Sequence, residues 1–202
     1  MRALECAVGG RRSSVSEHSL TMLRLDGTSS AEREEITARV QNLLLDAGVI
    51  LPNDRRDALW QPSEWKPGPA SRPAVAKLVD WFDAFRDTAN NGVDIRSDRD
   101  AYHPVENDEP PRCPRCATAV PTIYTDSYGA WLEEWMTAGR EPMFTCDQCD
   151  WSGPVGDWSG QFSVLVGAPA VTFLNWPPLS SSLITDIRAV LGGRTGVVAS
   201  HW

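Results

Sequence analysis

The chain has 202 residues and a mass of 22.2 kDa, with 42% apolar and 23% charged residues, a globular composition that excludes a wholly disordered polymer. Nineteen Lys and Arg stand against 27 Asp and Glu, a formal charge of −8. So acidic a chain lacks the positive excess that displaces counterions from nucleic-acid phosphates, and its longest apolar stretch, Phe162 to Leu174, is too short and too broken to span a membrane.

Residues 1–22 carry Gly9-Gly10-Arg11-Arg12-Ser13-Ser14 and no periodic apolar pattern, which predicts a disordered N-terminus without a secretory signal. Ordinary sequence starts at Met22, a candidate translation start. Residues 23–93 read as a helical region. Ser29 and Glu32 form a capping box for a helix over 31–47, whose stripe is Ile36, Val40, Leu43, Leu44 and Ala47, with Gly48 as its stop. The stretch 52–73, with Trp60, Trp65 and several prolines, predicts an irregular segment packed by its rings. A second helix is expected over 73–88, with Val75, Leu78, Val79, Phe82 and Phe85 buried and Asn90-Asn91-Gly92 ending it.

Residues 94–112 are acidic and proline-punctuated, and read as an exposed linker with one short strand at 93–95. Residues 113–202 read as a zinc-ribbon α/β region. It holds a helix over 128–138 bearing Trp131, Leu132, Trp135 and Met136, then a strand over 161–166 with Val171 to Leu174 as its hairpin or meander partner. A helix over 181–191 capped by Ser180 or Ser181 and a strand over 196–202 complete the chain. The expected fold is α/β of the α+β type: a small, mostly antiparallel sheet with packed helices and an inserted Cys₄ zinc ribbon.

Four of the five cysteines fall in two C-x-x-C pairs, Cys113/Cys116 and Cys146/Cys149, separated by 29 residues. Two such turns supply the four thiolates of a tetrahedral zinc site and leave no position for water, so the predicted role of the metal is structural. The extra length between the pairs matches the Trp131 helix. The residues flanking each pair suit loops better than the strand-to-helix entry of a redox dithiol, and nothing favours an iron–sulfur cluster over zinc. Cys6 reads as an incidental thiol. Arg112 and Arg115 either offset the charge of a Cys₄ centre or are plain surface residues.

The neighbourhood of the cysteines contains four Arg or Lys and eight Asp or Glu over 113–202, which argues against a nucleic-acid ribbon. There is no P-loop, since neither Lys66 nor Lys77 follows a glycine-rich loop, and no G-x-S-x-G, H-E-x-x-H or G-x-G-x-x-G. His18, His103 and His201 read as surface or structural histidines, and Glu133-Glu134 as a solvated helix face. No catalytic residue is assigned. An enzyme with a pocket beside the ribbon, using His201, Asp157 or Glu134, is the competing reading, and a nucleic-acid module is the third. Exposed Trp60 and Trp65 are candidate anchors for a protein partner.

The motifs C-P-R-C, W-L-E-E-W-M, C-D-Q-C, G-D-W, Q-F-S-V and the ending L-G-G-R-T-G-V-V-A-S-H-W resemble a group of uncharacterised actinobacterial proteins with a split zinc ribbon in a small α/β domain. The likeness covers about residues 113–202. It implies a cytoplasmic, non-enzymatic accessory protein of interaction or immunity type, whose partner is another protein, with Cys113, Cys116, Cys146 and Cys149 as metal ligands.

Overall fold

The computed structural model describes residues 18–55, 62–103, 110–120, 128–158 and 164–201. Its largest element is a six-stranded antiparallel sheet in the order β10-β1-β9-β4-β3-β2. The strands are β1 (His18–Arg24), β2 (Ile50–Pro52), β3 (Trp65–Pro67), β4 (Gly92–Arg96), β9 (Ala170–Leu174) and β10 (Thr195–His201). Two ribbons accompany it: β5 (Asp100–Tyr102) with β8 (Leu165–Gly167), and β6 (Met143–Thr145) with β7 (Ser152–Pro154). This is an α+β architecture, and the sheet draws strands from both sides of the expected 94–112 linker.

α1 (Ser30–Asp46) forms where the capping box places it: the Ser29 hydroxyl accepts from the Glu32 amide, and Gly48 adopts φ +65° just beyond the last turn. Its Ile36, Val40 and Leu44 are buried. α4 (Ser181–Leu191) is capped by Ser180, whose hydroxyl accepts from the Leu183 amide, and it buries Leu183, Ile187 and Leu191. Both helices and α2 (Phe82–Asp87) lie over one sheet face. There their apolar stripes meet Met22, Val93, Ile95, Val171 and Phe173 in the main core. Each such side chain contributes about 1.5–3 kcal/mol of burial.

Four expectations are corrected. His18 to Met22, expected to be disordered, form the first five of the seven residues of β1, and Met22 is fully buried between β9 and β10. The short strand expected at 93–95 is present and extends over 92–96 as β4, but it is no exposed linker: it pairs with β9 on one side and β3 on the other, so Asp94 and Arg96 belong to a central strand. The helix expected over 73–88 shrinks to α2. Val75 instead bridges Leu179, the Ala76 amide donates to the Pro178 carbonyl, and the Ser180 amide donates to Ala74, which holds 74–76 extended. Finally, β9 pairs with β1 and β4, while β8 pairs with β5 and forms no hairpin with β9. Trp65 and Leu78 are corrected as well: Trp65, expected to be an exposed anchor, is buried where β3 pairs with β2 and β4, and Leu78, expected to be buried, is exposed because 74–81 do not form the helix that would have turned it inward. The expectations on Cys6, Trp60, Trp202 and the strand residues 161–163 fall outside the described residues.

The second sheet face meets the β5–β8 ribbon. Leu23, Leu25, Leu165, Ala170 and Val198 form a small core there, with Tyr102 against it. A third core belongs to the cysteine lobe: Trp131 and Trp135 of α3 (Tyr128–Ala138) pack with Phe144, Val155, Trp158, Val164 and Val166 around buried Cys113 and Cys146. Edge-to-face ring contacts at 5.9 Å run from Trp131 to Phe144 and from Phe144 to Trp158. Among the described residues no helix is long and apolar enough to cross a membrane.

Candidate metal centre

The two C-x-x-C segments fold into the same turn. In the first, the Ala117 amide donates to the Cys113 carbonyl (2.8 Å) and the Cys113 amide to Thr118 (2.9 Å). In the second, the Asp150 amide donates to Cys146 (2.9 Å) and the Cys146 amide to Trp151 (2.8 Å). Ala117 and Asp150, the fifth residue of each turn, both adopt left-handed backbone, with φ of 58° and 56°. A non-glycine residue pays roughly 1–2 kcal/mol to sit there, so the repeated use of that conformation marks a geometry held by something more than local preference. The first turn is closed by a bridge between Arg112 and Ala119, and the second by the β6–β7 hairpin.

The turns face each other. Cys113 Sγ lies 3.7 Å from Cys149 Sγ and Cys116 Sγ 3.6 Å from Cys146 Sγ, and all four sulfurs fall within 4.8 Å of one another. Zinc–sulfur bonds of about 2.3 Å in a tetrahedron put neighbouring sulfurs about 3.8 Å apart, so the spacing fits four thiolates on one ion. Cys113 and Cys146 are buried, Cys149 is half-buried and Cys116 is exposed. Arg115 reaches across the junction, its guanidinium 3.4 Å from the Cys149 carbonyl, and so ties one turn to the other.

The four thiols do not ionise alike. Side-chain and backbone hydrogen bonds from Thr118 pull Cys116 down to about 6. Burial pushes Cys146 up. At Cys149 the Trp151 amide pulls down, but burial and the neighbouring sulfurs outweigh it and lift the thiol to about 12. One negative charge on Cys116 thus discourages a second. A cation removes that conflict, because binding replaces the protons and compensates all four thiolates together.

The other candidate residues do not converge. Glu134 lines a depression beside α3 and pairs with Arg140 at 2.6 Å. Asp157 pairs with Arg194. His201 borders a different, apolar groove near Trp176 and Ile184, and His103 is exposed with its carbonyl accepting from Ser200 Oγ at 2.6 Å. His18 Nε2 lies 2.9 Å from the Trp176 carbonyl, the position of a structural histidine. The sequence reading missed Thr118 as the neighbour that steadies Cys116; only its place two residues after the knuckle hinted at it. The chain matches no known family, no curated protein and no solved structure.

Proposed function

We propose that this chain is a zinc-stabilised, non-enzymatic accessory protein that works by binding another protein, with Cys113, Cys116, Cys146 and Cys149 as the four ligands. The observation that carries the reading is the convergence of four sulfurs from two matching turns, which fills a tetrahedral shell with protein ligands and leaves no site for a substrate or an activated water. Zinc suits four thiolates with hydrogen-bonded knuckles, and reduced cysteines fit a cytoplasmic setting. The dispersal of Glu134, Asp157 and His201 favours binding over catalysis. The net charge of −8 weighs against nucleic acid.

Exposed Leu78 and Trp81, just ahead of α2, offer an aromatic and aliphatic anchor for such a partner, with the Trp81 ring braced edge-on against Phe85 at 6.3 Å. The actinobacterial likeness and its immunity-type role belong to the same reading. The test is metal analysis and affinity capture on one preparation from the native host. It should give one zinc per chain, and a partner retained by the wild type but lost from Leu78→Ser/Trp81→Ala. A chain that is natively folded yet metal-free, or one whose partners ignore that double substitution, overturns the reading. Salt-sensitive retention on a polyanion column would favour the nucleic-acid alternative.

A further inference from the structure

The second face of the six-stranded sheet changes character along its strands. Under the β5–β8 ribbon it presents Leu23, Ala170 and Val198. Beyond that cover it presents hydroxyls and charges. Register sets out the change: Thr21 stands opposite Thr172, and Thr172 opposite Asp94, so a hydroxyl, a second hydroxyl and a carboxylate cross three adjacent strands. Their spacing is about 5 Å per step. Ser19 and Ser200 form the neighbouring pair, and Arg96 follows Asp94 on the same face. These groups line a crevice of about 250 Å³ with Tyr102 in its wall. A second depression of about 540 Å³, at Ser63 and Glu64, shares Asp94 and Arg96 with it.

The crevice has hydrogen-bonding capacity to spare. Thr21 and Thr172 share one bond at 2.9 Å, which uses one of their two hydroxyl protons. The Glu64 amide donates to Asp94 Oδ1 at 2.9 Å, which fixes the carboxylate and leaves acceptor sites on it. Tyr102 OH, at the crevice wall, and Ser63 Oγ, at the adjoining depression, are buried and have no partner among the described residues. Unmet buried hydroxyls beside a row of fixed polar groups ask for a polar occupant.

We propose that this crevice is a binding site for a small neutral polyol of monosaccharide size, whose adjacent hydroxyls donate to Asp94 and accept from Arg96 and the threonine pair. Charge disfavours an anion. Glu64 and Asp94 line the two depressions with Arg96, and Asp98 and Asp100 act on neighbouring Tyr102, so a carboxylate or phosphate ligand meets net repulsion, while the hydroxyl row from Thr21 to Thr172 matches a ligand rich in hydroxyls. A polyol supplies donors and acceptors in equal measure and carries no charge to repel. None of the four cysteines lines the site, although Ala101 of its wall packs against the cysteine lobe, and the polyol reading does not rest on the zinc reading.

The test is saturation-transfer NMR on the full, metal-loaded chain with methyl α-D-glucopyranoside, methyl β-D-ribofuranoside and myo-inositol as probes, and sodium gluconate as the anionic control. At least one neutral probe should bind with a Kd on the order of 1 mM, unchanged by added salt. Asp94→Asn and the near-isosteric Thr172→Val should each weaken it about tenfold, while Glu133→Gln on the exposed face of α3 leaves it intact. Amide spectra of the variants establish that they fold. No transfer to any neutral probe overturns the proposal. So does binding that survives both substitutions, or gluconate binding more tightly than the neutral probes.

Discussion

Arg194 and Glu141 join the six-stranded sheet to the cysteine lobe: the arginine Nη1 lies 2.6 Å from Oε2 of the glutamate, whose side chain is only 10% exposed. The same guanidinium also meets Asp157 and Asp26, and Glu141 Oε1 accepts the Gly156 amide at 2.8 Å. Asp26 Oδ2 in turn accepts the Arg194 amide at 2.7 Å. Three carboxylates from three segments thus converge on one cation where β10 begins, and Glu141 above all raises the guanidinium's affinity for its proton.

Removing Arg194 leaves the largely buried Glu141 carboxylate without its cation, whereas removing Glu141 leaves a guanidinium that keeps two other partners. Arg194→Met should therefore destabilise more than Glu141→Gln, by about 2 against about 1 kcal/mol in urea unfolding. Equal losses would mean that Asp26 and Asp157 contribute nothing measurable.

The cysteine lobe has its own core, separate from the one under α1 and α4. Chelation should accordingly melt that lobe first. The near-ultraviolet signal of Trp131, Trp135 and Trp158 should collapse, while the amides of β1, β4 and β9 stay protected from exchange. Cys146→Ser, which strands three thiols around a buried hydroxyl, should reproduce the effect without chelator. Simultaneous loss of β1 and β9 protection would show that the two cores are one cooperative unit.

How much of this was legible in the sequence depended on whether the signal was local. α1 and α4 carry their caps and stripes within a dozen residues, and the two knuckles carry their ligands at fixed spacing. β1 was hidden because its second face is Ser19 and Thr21, so polar residues alternate with Leu20 and Met22 and the strand blends into the Gly, Ser and Arg-rich stretch before it. β4 is legible as a short strand at 93–95 but not as a central one: Asp94 and Arg96 read as linker chemistry until Thr172 and Thr21 are seen beside them. Of the expected stripe, Val75, Phe82 and Phe85 are buried and Val79 packs against the core, but Leu78 is exposed and the first turn is claimed by a segment about a hundred residues away, through the Val75–Leu179 bridge. The Arg194 cluster has no spacing signature at all, since its carboxylates come from positions 26, 141 and 157.

Gly92 stands where β3 and β4 approach most closely. A Cβ there would lie 2.3 Å from the Trp65 carbonyl oxygen and 2.6 Å from the Ser63 side chain, and the Gly92 carbonyl accepts from Trp176 Nε1 at 2.9 Å. Backbone cannot yield as a flexible side chain can, so Gly92→Ala should cost about 2–4 kcal/mol and loosen β3. Gly129, with open space around its Cβ position in α3, is the control: Gly129→Ala should be neutral or stabilising by about 0.5–1 kcal/mol. Paired denaturant titrations decide the matter, and a harmless Gly92→Ala would contradict the close strand approach.

Tyr102 gives the alkaline limb of the stability curve a specific origin. Burial first, then the negative charge of Asp100, raises its phenol well above the ordinary value of 10.0, with Arg96 opposing. The folded chain therefore holds a proton that the unfolded chain releases, so stability is full below pH 10 and falls as pH rises from there toward the folded value. Tyr102→Phe removes the proton together with a hydroxyl that has no partner among the described residues. It should leave stability near neutrality unchanged or slightly improved, and flatten the decline above pH 10. Unfolding midpoints across that range, alongside tyrosinate absorbance, read the difference; a variant that declines as steeply as the wild type would place the sensitivity on some other group.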